Sequence, residues 1–196
     1  MISKPLRKDD KAIVLDFLTH GHYDMQRAQP IAQVLGEQYF SLLEVIVRED
    51  VTLKVGESVY IGDQKREKIK YIRGRIELRD LTNAAKQELE SATKTVIETA
   101  PEQYIEFFNK SGNVSLRMHQ LELLPGIGKK HLWIILDERK KKPFESFEDI
   151  HKRLPMLGNP MKLIVRRVLD EIEDKDKYRL FVPRFDKKRE HMERRF

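Results

Sequence analysis

Hydrophobic spacing changes character once along this chain, at Leu81-Thr82, and that change bounds the folds open to it. Before it, apolar residues come in short runs or alternate with polar ones. Ala12 to Leu18, Ile31 to Leu35 and Tyr39 to Val47 are runs; Val51, Leu53 and Val55 alternate with Thr52 and Lys54; Ser58 to Ile61 and Lys68 to Leu78 follow. These are strand signatures, with Ile31 to Leu35 read as a short strand or a turn. Gly56-Glu57 reads as a turn and Gly62 to Arg66 as a hairpin loop, while Gly74 interrupts its strand as a bulge or sharp bend would. Short strands at close spacing, one of them bent, suit a small barrel. After Leu81 the period becomes helical. Leu81, Ala85, Leu89, Ala92 and Val96 recur at steps of three and four, on one helical face. Strands followed by helices give an α+β fold.

Thr82 is placed to cap the first helix, and Pro101 to open a second through Tyr104, Phe107 and Phe108. Ser111-Gly112-Asn113 breaks it, and Ser115 is expected to cap a third. Residues 160–173 read as the last helix, with Leu163, Ile164, Val168, Leu169 and Ile172 on its apolar side. From Asp174 onward charge dominates, with nine Lys+Arg and five Asp+Glu, interrupted by Tyr178, Leu180, Phe181, Val182 and Phe185. Residues 178–182 are expected to return as a strand or docking segment. The last ten or so residues read as disordered, or helical only when bound.

The segment with most functional content is Leu121-Glu122-Leu123-Leu124-Pro125-Gly126-Ile127-Gly128-Lys129-Lys130. It reads as a helix, a tight hairpin and a second helix opening on two lysines. Glycines permit the tight turn, and the first turn of the following helix has unpaired N–H groups. Those donors, the helix dipole and two cations suit a phosphate oxygen. The order of this hairpin, the apolar helix Leu132 to Leu136, the basic run Arg139 to Lys142 and the connector Pro143-Phe144-Glu145-Ser146-Phe147-Glu148-Asp149-Ile150 resembles the paired helix-hairpin-helix (HhH) module, from Ser115 to about Ile172. The second hairpin then falls at Leu154 to Pro160. It departs from the pattern because Asn159-Pro160 replaces the second glycine and lysine, and Pro160 has no N–H to offer. Phe40-Ser41-Leu42-Leu43-Glu44, Val59-Tyr60-Ile61-Gly62 and Leu121 to Lys130 together resemble an archaeal family, domain-of-unknown-function family six-five-five. That resemblance implies an N-terminal OB-like β-barrel, an HhH module behind it, and a role in RNA or DNA binding.

Charge placement agrees with a polyanion partner. The chain carries a formal +6, yet residues 1–110 hold 17 Lys+Arg against 18 Asp+Glu and residues 111–196 hold 21 against 14. The basic excess lies in the half with the hairpins. Cysteine is absent, which excludes disulfides, thiolate zinc sites and iron–sulfur clusters. No apolar run approaches a membrane span, and the first residues lack a signal-peptide layout, so the expectation is a cytoplasmic protein with no membrane partner. The stretch from Lys65 to Arg79 holds seven basic residues and two acidic ones, so Lys68, Lys70, Tyr71, Arg73 and Arg75 form a second candidate surface, set against a lysine-protected edge strand. Ile69, Tyr71, Arg73 and Arg75 share a face if the alternation is unbroken by Gly74. Trp133 is assigned to the core. His20, His22 and Asp24 have ligand chemistry but no supporting partner by spacing, so no metal is expected.

Walker A, His-Glu-x-x-His and Gly-x-Ser-x-Gly sequences are absent. Lys130 and Asp149 loosely follow the order used by HhH DNA glycosylases, but Asp149 falls in the connector. The sequence reading is therefore an OB-like barrel at 11–80, a helical linker at 81–111, a paired HhH module at 112–173 and a basic tail at 174–196. The expected function is nucleic-acid binding without catalysis or cofactor, with RNA ahead of DNA, through Gly126, Ile127, Gly128, Lys129 and Lys130. The alternatives are docking on a ribonucleoprotein or other acidic partner and, last, a DNA glycosylase or abasic-site lyase.

Overall fold

The computed structural model describes residues 8–22 and 28–184. Its strand-forming half yields β1 (Lys11–Leu18), β2 (Ile31–Gly36), β3 (Leu42–Val47), β4 (Ser58–Tyr60) and β5 (Ile69–Arg75). They make one sheet in the order β4-β1-β2-β3-β5, with every neighbouring pair antiparallel. The two edge strands, β4 and β5, therefore run in the same direction. The sheet curls into a half-barrel. Its concave core joins Val14, Val34 and Val45 of the centre to Val59 and Ile69 of the two edges, with Leu53 filling the space between. Val51 to Val55, expected as a strand, is instead a loop. Burying Leu53 satisfies its one large apolar side chain, while Val55 stays exposed. Gly62 to Arg66 is likewise not a hairpin loop, because it joins opposite edges of the sheet. Arg66 Nε folds it on itself by donating to Ile61 O at 3.0 Å and Gly62 O at 2.7 Å.

The convex face packs on helices. Ile13, Leu15, Leu35 and Leu42 join a second core that continues through α1 (Asn83–Thr99), α2 (Glu102–Lys110), α3 (Lys129–Lys141), α4 (Phe147–Arg153) and α5 (Pro160–Ile172). With both faces covered, β2 and β3 are buried from end to end. Three polar residues cross this face in register: Asp16, Gln33 and Glu44. Each has a partner. Gln33 accepts from Thr82 N at 2.9 Å and donates to Asp80 O at 3.1 Å. Thr82 Oγ1 donates to Asp16 at 2.6 Å and accepts from Ala85 N at 3.0 Å, so the N-cap of α1 is bolted to the sheet. α1 then lies against β1 on one side and α5 on the other.

No α-helix starts at Ser115. Residues 113–119 pair as a small hairpin, β6 (Asn113–Ser115) and β7 (Met118–His119), and only Gln120–Leu123 winds, as a 3-10 turn. The reason is a closer cap. His119 Nδ1 accepts from Leu121 N at 3.1 Å, while Glu122 accepts from His119 N at 2.8 Å. That reciprocal capping box opens the turn four residues late.

The C-terminal segment is a docking segment rather than a strand. Arg167 and Glu171, 3% and 0% exposed, form an ion pair at 2.7 Å. Glu171 also accepts from Leu180 N, Phe181 N and Val182 N at 2.7–2.9 Å. Arg167 donates to Leu123 O at 3.1 Å, Asp176 at 2.5 Å and Tyr178 O at 2.5 Å. Phe181 thereby meets Tyr104 and Phe107 edge-to-face, at 5.5 and 5.2 Å between ring centroids. The reading of the last ten residues falls outside the described residues. Glu171→Ala strands a buried guanidinium and three amides, so it should cost about 3–5 kcal/mol in urea denaturation. Lys140→Ala, which breaks the exposed pair with Asp137, should leave the midpoint in place. Equal effects would contradict the assignment.

Candidate nucleic-acid interface

The turn at Leu124 to Lys129 is pinned from below and open above. Leu121, Leu124 and Ile127 are buried, and Ile127 N donates to Leu124 O at 3.2 Å. Gly126 sits at φ 81°, in the left-handed region, with no atom within 4 Å of where a Cβ would stand. Backbone conformation, not space, therefore requires glycine there. Gly128 is extended, at φ −96°, and equally unobstructed. It is the N-cap of α3 and brings no capping side chain. Leu132 N closes the first helical turn on Gly128 O at 2.9 Å. Among the described residues, the amides of Gly128, Lys129, Lys130 and His131 meet no acceptor.

The two lysines differ. Lys129 Nζ donates to Glu122 and to Arg117 O, both at 2.8 Å, tying α3 to the 3-10 turn and to the β6–β7 tip. Lys129 in turn holds the Glu122 carboxyl below the usual carboxylate range. Lys130 is exposed and has no partner among the described residues. It is the uncommitted cation of this turn.

The second turn repeats the scaffold without the opening. Leu157 N donates to Leu154 O at 3.0 Å, as Ile127 N does to Leu124 O, and Leu157 is buried as Ile127 is. The histidines differ: His131 of the following helix α3 lies 3.0 Å from Gly126 O in the first turn, whereas in the second His151 of the preceding helix α4 lies 2.6 Å from Gly158 O. Here, however, Asn159 caps α5 by accepting from Lys162 N at 3.2 Å, and Pro160 occupies the first helical position.

The β5 candidates lie elsewhere. β5 is an edge strand with register shifts opposite Ile46/Val47 and Glu44/Val45, so the simple alternation of 69, 71, 73 and 75 does not hold. Ile69 is buried in the concave core, and Lys70 and Tyr71 are exposed. Lys68 pairs with Glu57 at 3.1 Å. Arg73 pairs with the buried Glu44, which also meets His22 at 2.5 Å. Arg73 and Arg75 line a groove that is also lined by the C-terminal end of α5, Arg179 and Val182 to Arg184; no residue of the Gly126 turn lines it.

Other candidates have structural partners. Arg139 donates to Phe108 O at 3.1 Å and Ser111 O at 2.9 Å. Asp149 receives Glu145 N at 3.2 Å and pairs with Arg153 at 3.3 Å. Asp24 is outside the described residues, and among those described no three His, Cys, Asp or Glu gather to hold a metal. Trp133 is not in the core: it is 61% exposed, and Leu132 and Ile135 fill the buried positions of α3. Their three-residue step, with Trp133 one position off it, is the signal that could have placed it outside.

The profile of the family described as "Protein of unknown function (DUF655)" matches residues 8–183. The chain belongs to this family. It is similar to the uncharacterized protein MJ0038 of Methanocaldococcus jannaschii, 41% identical over 182 residues, which is 92% of this chain and 82% of that one. It is also similar to the crystal structure of Af1531 from Archaeoglobus fulgidus, a DUF655 protein, with a TM-score of 0.83 and 46% identity over 89% of this chain and all of that one. Among the described residues no helix is long and apolar enough to cross a membrane.

The 3-10 turn that leads into Leu124 to Lys129 is capped by a histidine whose protonated form is disfavoured. Burial, then the Arg139 charge, pushes the His119 imidazole below its usual value. A depressed folded-state value favours the neutral ring that caps Leu121. That stabilisation is present above the unfolded value, about 6.5, and is lost as pH falls through the folded value. The melting temperature should therefore fall more steeply from pH 7.5 to 5 in wild type than in His119→Asn, which keeps a cap but cannot titrate. Parallel curves would contradict this.

Proposed function

We propose that this DUF655 chain binds nucleic acid without catalysis, gripping the phosphate backbone through the Gly126-Ile127-Gly128 turn in the manner of an HhH hairpin. The observation that carries this reading is the uncapped start of α3. Outward amides, the positive end of the helix dipole and Lys130 converge beside an exposed left-handed glycine. The departure from the HhH pattern is the entering element, a 3-10 turn in place of a helix. The second turn, capped by Asn159, serves packing rather than binding.

The half-barrel is offered as an OB-like second surface. Its strand order and curl favour that reading, while β4 and β5 running in the same direction depart from a closed antiparallel barrel. Exposed Lys70 and Tyr71 on its edge favour contacts to phosphate and base. RNA is placed ahead of DNA on the same ground of ring-to-base contacts. The second reading, docking on a ribonucleoprotein or acidic partner, rests on the basic excess of residues 111–196. The absence of nucleotide-triphosphatase, zinc-protease and serine-hydrolase motifs from the sequence supports a non-catalytic role.

Labelled single-stranded RNA, single-stranded DNA and duplex DNA, titrated at several salt concentrations, test the reading. Affinity should fall steeply with salt. Lys130→Glu should weaken binding to all sequences alike and reduce the salt slope by about one. Lys129→Glu is the poorer probe because it also breaks the Glu122 pair. Salt-independent binding would overturn the phosphate mechanism, and loss of a protein partner with no binding to naked nucleic acid would favour the docking reading.

A further inference from the structure

Large apolar side chains meet water beside the Gly126 turn. Leu116, at the two-residue tip between β6 and β7, is fully exposed, Met118 is 36% exposed and Trp133 is 61% exposed. Two connections bring them to one place. Lys129 Nζ bonds Arg117 O at 2.8 Å, which holds the hairpin tip against the first turn of α3. Trp133 is four residues beyond Lys129, on the same helical face, and a helical side chain leans over the turn N-terminal to its own Cα. The indole therefore covers the surface next to the free amides and Lys130. The surroundings carry positive charge, with Arg117 and Lys130 both exposed.

We infer that Trp133 and Leu116 form a base-stacking platform beside the phosphate clamp, so that the ligand of this turn is a single-stranded nucleic acid with an unpaired base. This rests on the proposed phosphate-binding role of the turn. An indole exposed on a basic face offers a π-surface to any base. In a paired duplex that base face is occupied by its neighbours, so stacking requires an unpaired or splayed nucleotide. A protruding leucine at a hairpin tip supplies the apolar wedge that separates adjacent bases. Sequence preference stays low, since every base has a face to stack.

Trp133 is the chain's one tryptophan, so its emission reports on this position alone. Single-stranded RNA, single-stranded DNA and duplex DNA of matched sequence are titrated into the full chain. Tryptophan emission and the anisotropy of a labelled strand are read in parallel, for wild type, Trp133→Ala, Trp133→Phe and Lys130→Glu. The expected result is a saturable quench by the single strands with little by duplex. Trp133→Ala should weaken single-strand binding about ten- to hundredfold, Trp133→Phe should recover most of it, and Leu116→Ser should weaken it less. Thermal melting of Trp133→Ala should match wild type, because the ring already meets water. Single-strand binding that depends on Lys130 but leaves the emission and the Trp133→Ala affinity unchanged would overturn the platform and leave the clamp standing. Equal quenching by duplex would overturn the requirement for an unpaired base. Absence of anisotropy change with all three ligands would overturn both platform and clamp.

Discussion

The Arg167–Glu171 pair holds the helical half of the molecule in register. Both groups are withdrawn from water, and desolvating two charges is offset only when every polar atom finds a partner. Here they do. The carboxylate gathers three successive amides of the C-terminal segment, and the guanidinium reaches Leu123 O, at the entrance to the Gly126 turn. α5, residues 176–182 and the turn thus share one node. A hydrophobic pair of the same volume would fill the space but leave those amides and carbonyls unmet. The value of the ionic solution is directional: it fixes which segment lies where, and so the face that Gly126, Lys130 and Trp133 present.

The two Leu-Pro turns illustrate how one scaffold is opened or closed by a few atoms. In both, the leucine carbonyl accepts the amide three residues on, and the next apolar side chain is buried. Where Asn159 and Pro160 follow, one amide is capped and another does not exist. Where Gly128 and Lys129 follow, the amides stay outward and a lysine is spent on the Glu122 brace. Spending that lysine on structure leaves Lys130 as the free charge, a division of labour between neighbours.

Much of the fold was legible because its signals are local. The strand period, the cap at Thr82, the proline opening α2 and the bend at Gly74 each depend on residues a few positions apart. What was missed depends on long-range packing or on a nearer competitor. Leu53 leaves the strand pattern because the concave core needs a plug. His119 with Glu122 displaces Ser115 as a helix start. Gly36 must be glycine because a Cβ there would lie 2.2 Å from Asp9 Cγ, whose carboxylate caps Gln38 N and Tyr39 N from 29 and 30 residues away. For the candidate site, the turn and its lysines were legible as a motif, but the pairing of Lys129 was not, because it depends on how the core seats the 3-10 turn and the β6–β7 tip beside α3. The exposure of Trp133 was signalled by the step from Leu132 to Ile135, which sets the buried side of α3.

The central claim, that the open amides at the start of α3 are the phosphate contacts, is tested most directly by amide NMR shifts on adding a short single-stranded oligonucleotide. The account predicts the largest changes at Gly126, Gly128, Lys129, Lys130 and His131, and little at Gly158, Asn159 and Lys162. Changes concentrated at the second turn, or absent from the first while the oligonucleotide is bound elsewhere on the protein, would contradict it.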